Sequence, residues 1–212
     1  MPTGVAMRDA RRQLFDAAER ILLRDGPHAL TSRAVTTEAG CAKGVLHRHF
    51  ADFDAFLAEL VLDRIARLDG RSAALRAAAG NGTVVGNLAT ALTELFDAVA
   101  VSIVGLVIFR DDLRARLRAA GSTGVPLLTE ATTMVAAYLA AERDLGRLAA
   151  DADVETLAPT LIGAVHLLFA DRGSGPPDAG AVRRVVSAVV GGALPGDGRA
   201  HADAPQPRSP DR

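Results

Sequence analysis

The side chains best suited to chemistry in this 212-residue chain are clustered cations: Lys43, His47 and Arg48, with Arg33 a little upstream. Lys43 can reach a phosphate or a guanine edge, and Gly44 beside it lets a backbone come close to a ligand. They sit in the segment Ala39-Gly40-Cys41-Ala42-Lys43-Gly44-Val45-Leu46-His47-Arg48-His49-Phe50. Ala39 is small enough for two helices to cross closely. Gly40 can take the positive φ that ends a helix. Val45, Leu46 and Phe50 give the following helix an apolar side, while Lys43, His47 and Arg48 give it a cationic one. With the helical run that starts at Thr31-Ser32-Arg33, the pattern reads as helix, tight turn, helix, the build of a unit that lays its second helix in the DNA major groove.

Other readings of these residues are weaker. His47 and His49 lie two apart, so on a helix they point about 200° away from each other and cannot share one metal ion. His49 is expected to pack or hydrogen-bond at the corner between helices. Cys41 stands near a helix N-terminus, which favours thiolate, but it reads better as a small turn residue than as an oxidant sensor. Val45 could touch a thymine methyl or merely pack. No metal site and no cofactor are expected.

The elements that must position this segment are helical throughout. Helix 1 is expected from about Met7 to Asp25, with Leu14, Ala18, Ile21 and Leu22 on one face, and Gly26-Pro27 stops it. Thr31 can cap helix 2, which ends at Gly40. Helix 3 covers about Ala42 to His49. Asp52 can cap helix 4, whose stripe is Phe53, Phe56, Leu57, Leu60, Val61, Ile65 and Leu68. After Gly80-Asn81-Gly82, one long helix is expected from Val84 to Phe109. A short charged helix follows over Asp111–Ala120, then helices over Leu127–Leu148, Asp153–Ala170, with Pro159 kinking its early turns, and Ala179–Leu194. The stretch Asp171–Pro177 reads as a turn-rich connector. The tail from 195 to 212 is rich in Pro, Gly, Asp and Arg and is expected to be disordered. No alternating strand pattern occurs.

Composition sets outer limits. The formal net charge is −1, yet residues 1–50 carry eight Lys/Arg and five Asp/Glu, about +3, which leaves about −4 for the rest. A basic front on an acidic body suits a protein that presents one end to phosphate. One cysteine allows no internal disulfide. The start has no apolar run for a signal peptide, and the longest apolar stretch, near Val99–Phe109, is short of the roughly 20 residues that span a bilayer. A soluble, cytoplasmic chain with no membrane partner is expected. No Gly-rich phosphate loop, His-Glu-x-x-His motif or nucleophile elbow is present, so an enzyme is not expected.

Over residues 8–68 the chain resembles the tetracycline-repressor-like (TetR) family of bacterial regulators. The matching features are Ala17-Ala18, the Gly26 break, Leu30-Thr31, Val35, Ala39-Gly40, Gly44, Leu46, His49-Phe50 and the amphipathic run from Phe53. The resemblance implies an all-α protein: a three-helix DNA-binding head over residues 1–50, continuing into helix 4 at about 52–70, and a helical regulatory and dimerisation body over 51–194. The residues expected to meet double-stranded DNA are Thr31, Arg33, Lys43, Gly44, Val45, His47 and Arg48. Three departures stand out: relatives usually carry Tyr where His47 stands, often Ser at Ala42, and often Lys or Arg at Phe53. Each could cost about 1 kcal/mol of binding.

The resemblance also implies a small-molecule pocket in the body and a repressor released by an effector of unknown identity. Polar groups on otherwise apolar helices are the candidates: Ser102, Arg110, Thr133, Tyr138 and His166. For His166, a satisfied core or seam histidine weighs against a ligand contact. Helices over 153–170 and 179–194 are apolar nearly all round, and such helices must be covered on more than one side. A homodimer through a four-helix bundle would cover them, with Leu161, Val165, Leu168, Val182, Val186 and Val189 at the interface, and its operator would be an inverted repeat; the alternative is a fully buried central helix in a monomer. The competing expectation is a helical ligand-binding or scaffold protein whose head no longer binds DNA.

Overall fold

The computed structural model of the chain describes residues 4–170 and 177–195, and every regular element among them is helical. The helices are α1 (Gly4–Arg24), α2 (Ser32–Glu38), α3 (Gly44–His49), α4 (Phe53–Ala77), α5 (Val84–Leu95), α6 (Ala98–Ile108), α7 (Asp111–Ala119), α8 (Leu128–Asp144), α9 (Val154–Ala170) and α10 (Ala179–Val190). The expected connector lies outside the described residues over 171–176, and the expected disordered tail does so from residue 196 onward.

Local chemistry sets most boundaries. Thr31 Oγ1 accepts the Ala34 amide at 3.1 Å and Asp52 Oδ1 accepts the Ala55 amide at 2.8 Å, so α2 and α4 start where the caps were expected. Thr83 and Asp178 do the same for α5 and α10. Each such cap contributes about 1 kcal/mol. Gly40, at φ 65°, closes α2 through its left-handed turn. Gly146, at φ 72°, ends α8, several residues before the expected Leu148.

The single long helix expected over Val84–Phe109 is two. Leu95 ends α5, and Asp97, with extended backbone, caps α6 by accepting the Ala100 amide at 2.7 Å. The two helices meet at a bend of 66°. The carboxylate of Asp97 also pairs with Arg64 of α4, a residue only 7% exposed. A capping carboxylate held by a buried guanidinium outweighs the helical propensity of the apolar residues on either side.

The head, α1 to α3, rests on α4 and α6. In the body α5, α8, α9 and α10 pack as neighbours, with α4 against α7 and α8. One buried hydrophobic cluster runs from Leu14 through Val61, Val104 and Val135 to Val190. Among the described residues no single helix is long and apolar enough to cross a membrane.

Two polar features interrupt this core. Glu142 is fully buried on α8; it accepts the Tyr138 hydroxyl at 2.5 Å and lies 3.3 Å from Arg147 Nε. Tyr138 in turn accepts Asn87 Nδ2 at 3.0 Å, tying α8 to α5. Burial, with the neighbouring carboxylate behind it, pushes the Tyr138 phenol well above its ordinary value. The second feature is His166 of α9, whose ring lies 5.7 Å from Phe96 at the α5–α6 bend and whose Nδ1 is buried without a partner. Burial holds this imidazole below its ordinary 6.5.

Tyr138→Phe removes one donor and one acceptor from a closed network, and should destabilise the chain by about 1–3 kcal/mol in urea unfolding. For His166 the sign follows from burial. The unfolded chain takes up the proton more readily, so stability present above pH 6.5 is lost as the pH falls through the depressed value. Unfolding curves of His166→Leu should lack that component of the acid-side decline; an unchanged decline would show that other groups cause it.

Candidate nucleic-acid interface

The head is built on aromatic contacts. Phe15 of α1, Phe50 at the end of α3 and Phe56 of α4 meet pairwise with centroids 5.9, 5.6 and 5.1 Å apart. Leu14, Ala18, Leu22, Val35 and Leu46 are almost completely buried around them. Leu46 thus anchors α3 from its inner side and leaves the opposite side to solvent.

Arg11 fastens the corner between α3 and α4. Its guanidinium lies 4.6 Å from the Phe50 ring centroid, donates to the His49 carbonyl at 3.4 Å and pairs with Glu59. His49 packs beside Phe50, with centroids 6.4 Å apart. Glu38 locks α2 to α1 by accepting Arg20 Nε at 2.8 Å and Arg24 Nη1 at 3.2 Å. Those arginines, Arg20 first, hold the Glu38 carboxyl below its usual range. The sequence reading missed Arg11 and Glu38, because each partner belongs to a different helix and no local pattern joins them.

Most of the expected DNA-facing residues lie at the surface of the head. Thr31, Arg33, Lys43, Gly44, His47 and Arg48 are exposed, and Val45 is half-buried against the core. Thr31 has its hydroxyl engaged as a cap. A Cβ built on Gly44 meets nothing within 4 Å, so packing of the free chain does not demand a glycine there. Among the described residues, Arg33, Lys43, His47 and Arg48 form no ion pair and no side-chain hydrogen bond. Arg11, Arg12, Arg20 and Arg24 are all paired with carboxylates. Among the described Lys and Arg side chains of the head, the unpaired ones are therefore Arg33, Lys43 and Arg48 of the α2–α3 segment, where a phosphate backbone could take the place of a protein carboxylate.

Four of the five expected pocket residues are engaged within the fold. Ser102 is buried and donates to the Leu22 carbonyl at 3.3 Å, which joins α6 to the head. Arg110 pairs with Asp54 at 2.7 Å. Thr133 is exposed and bonds back to the Thr129 carbonyl. Tyr138 belongs to the Glu142 network. His166 is the candidate with an unsatisfied buried atom. None of the five lines the surface clefts of about 590 Å³ at Arg24, Arg33 and Glu38, about 350 Å³ at Val84 and Arg147, or about 380 Å³ at Glu94 and Arg183.

Of the six residues expected at a dimer interface, four face the chain's own core. Leu161, Val165, Val182 and Val186 are completely buried within the single chain, where α9, α10 and α5 pack together, and Leu168 and Val189 are half-buried. The faces that α9 and α10 turn outward carry Thr160, Gly163 and Leu167, the last 73% exposed, and Arg184, Ser187 and Ala188.

Residues 14–60 match the sequence profile of the bacterial regulatory proteins of the tetR family. No curated protein matches the chain. Solved structures match the fold over most of its length. A TetR-family transcriptional regulator from Agrobacterium tumefaciens has a TM-score of 0.68 at 12% identity, covering 89% of this chain and 100% of that one. The regulator FadR from Bacillus subtilis, in complex with stearoyl-CoA, has a TM-score of 0.65 at 17% identity, covering 85% and 98%. A TetR-family member from Streptomyces coelicolor has a TM-score of 0.60 at 23% identity, covering 86% and 98%. Residues 14–60 thus carry the sequence profile of the family's N-terminal domain, and the chain as a whole shares the all-helical fold of solved TetR-family regulators.

Proposed function

We propose that this regulator is a cytoplasmic homodimeric repressor that binds an inverted-repeat operator and leaves it when a small molecule occupies the body. The observation that carries the DNA-binding part is the set of unpaired cations on α2 and α3, in a head where Arg11, Arg12, Arg20 and Arg24 are neutralised internally. Lys43, Gly44, His47 and Arg48 on α3 would read the major groove, with Thr31 and Arg33 reaching the flanking phosphates. We divide the chain at about residue 50, with α4 joining head to body.

The outward faces of α9 and α10 support dimerisation. Leu167 is a large apolar side chain left in solvent; Gly163, one turn before it on α9, and the exposed Ser187 and Ala188 of α10 are small enough for helices of a second copy to approach closely. A two-fold dimer would present two reading helices to half-sites about 34–36 Å apart. The effector would be a small apolar or amphipathic molecule, since the body offers mostly apolar side chains; FadR with stearoyl-CoA shows that this fold can hold such a ligand. His166, beside Phe96 and the α5–α6 bend, is the polar group best placed to meet it. Release follows if the ligand prefers the arrangement in which α4 is tilted and the heads no longer fit their grooves.

Fluorescence anisotropy with the DNA upstream of its own gene tests the reading. Lys43→Ala and Arg48→Ala should each weaken binding, by about 1–3 kcal/mol for a lost base contact, or with a salt slope lower by about one for a lost phosphate contact. Parent-like binding by both variants would remove α3 as the reader. For the dimer, Leu167→Arg should give folded monomers in light scattering, whereas Leu161→Arg, set in the chain's own core, should fail to fold. A monomeric parent would end the dimer proposal.

A further inference from the structure

The start of α4 is held by a body helix through charge as well as through packing. Arg110, just before α7, places its guanidinium Nη2 2.7 Å from Asp54 Oδ1. The same guanidinium lies 5.8 Å from the centroid of the Phe53 ring, which stacks on Phe56 at 5.6 Å. Arg116, one helix face along, reaches Asp52 Oδ2 at 2.5 Å. On the same helix Leu113 and Leu117 are buried against the core. All three contacted residues lie in the first turn of α4 or its cap, and only Ala51 separates Asp52 from Phe50, whose amide closes α3 onto Leu46.

Resting on the reading of α3 as the DNA reader, we infer that α7 sets the orientation of the reading helix through the Arg110–Asp54 and Arg116–Asp52 ion pairs. The corner between α3 and α4 is then gripped from both sides. Arg11 holds it to the head through Phe50, His49 and Glu59, and α7 holds it to the body. The buried leucines fix the distance between α7 and α4. Apolar contact is non-directional, so they leave rotation and sliding weakly specified. Two separated, directional ion pairs resist both motions. Their side chains are between 26% and 48% exposed, so the grip is partial and sensitive to salt, as a joint that must yield requires. Arg110 and Arg116 are positioning residues in this scheme; neither contacts the operator.

The test compares Arg110→Ala/Arg116→Ala with Arg110→Lys/Arg116→Lys in the full chain. The lysine pair keeps both charges. Operators with a graded series of half-site spacings would be titrated with each protein. The alanine pair should lose roughly threefold to tenfold of the parent's preference between spacings, the range that two partly exposed pairs can supply. Its salt slope on the best operator should stay at the parent value, because the phosphate contacts remain. The lysine pair should keep most of the preference. A second readout needs no DNA: spin labels at His28→Cys and Asp151→Cys, in chains with Cys41→Ala diluted into unlabelled protein, report the head-to-body distance. That distribution should broaden with the alanine pair and stay narrow with the lysine pair. Parent-like spacing preference and an unbroadened distribution in the alanine pair would overturn the inference. So would a lysine pair that behaves like the alanine pair in both. A parent that binds no operator while the distance distribution behaves as expected would instead overturn the reading of α3 as the DNA reader.

Discussion

The guanidinium of Arg64 is the point on which the arrangement of the three parts depends. It sits midway along α4, 7% exposed, and pairs with Asp97 at the start of α6; Glu19 of α1 lies 3.7 Å away and also meets Arg67 at 3.0 Å. Head, connecting helix and body thus converge on one cation. Breaking a buried pair by removing one partner costs about 3–5 kcal/mol, because the other charge is left uncompensated. Solvent around the partly exposed Asp97 side chain moves the figure down from that range. The geometric consequence is larger than the energetic one. Asp97 can cap α6 and face Arg64 only if α5 has already ended, and the bend this creates turns α6 back under α1, where Ser102 meets the Leu22 carbonyl.

That bend marks the limit of what the residue pattern discloses. The segment from Val84 to Phe109 is apolar at helical spacing throughout, and periodicity cannot register a break that preserves it. The relevant signal is Asp97, a capping residue inside an apolar run, yet a lone Asp reads equally well as a polar face position until Arg64 is known to oppose it. The head was legible for the opposite reason. Its boundaries are set within a few residues of sequence, by Thr31, Gly40 and Asp52, each acting on an amide or a φ angle beside it.

The same distinction explains the body. Tyr138, Ser102 and Arg110 stand out in sequence as polar groups on apolar helices, which suits a ligand site. Their partners, Glu142, Leu22 and Asp54, come from other turns or other helices and turn them into joints of the fold. The valines of α10 mislead in a related way. The valines Val182, Val186 and Val190 of α10 go to the chain's own core, and the residues left outside are smaller and more polar, as Ser187 and Ala188 are. Apolarity alone therefore ranks the inner face above the outer one.

Charge shows the reverse pattern: the structure sharpens a weak sequence signal. An excess of three positive charges over the first fifty residues is modest, and the whole chain is nearly neutral. Paired cations contribute little field at a distance, because their partners cancel it within a few ångströms. Arg20 is cancelled by Glu38, Arg24 by Asp25 with Glu38 beside it, Arg11 by Glu59 and Arg12 by Asp16. Arg33, Lys43 and Arg48 remain uncancelled, on α2 and α3. The field of the head is thereby concentrated where α3 is exposed, and an approaching polyanion meets that surface first. Intramolecular carboxylates thus do two things at once: they hold the helices of the head in register, and among the described residues they leave the unpaired positive charge on α2 and α3.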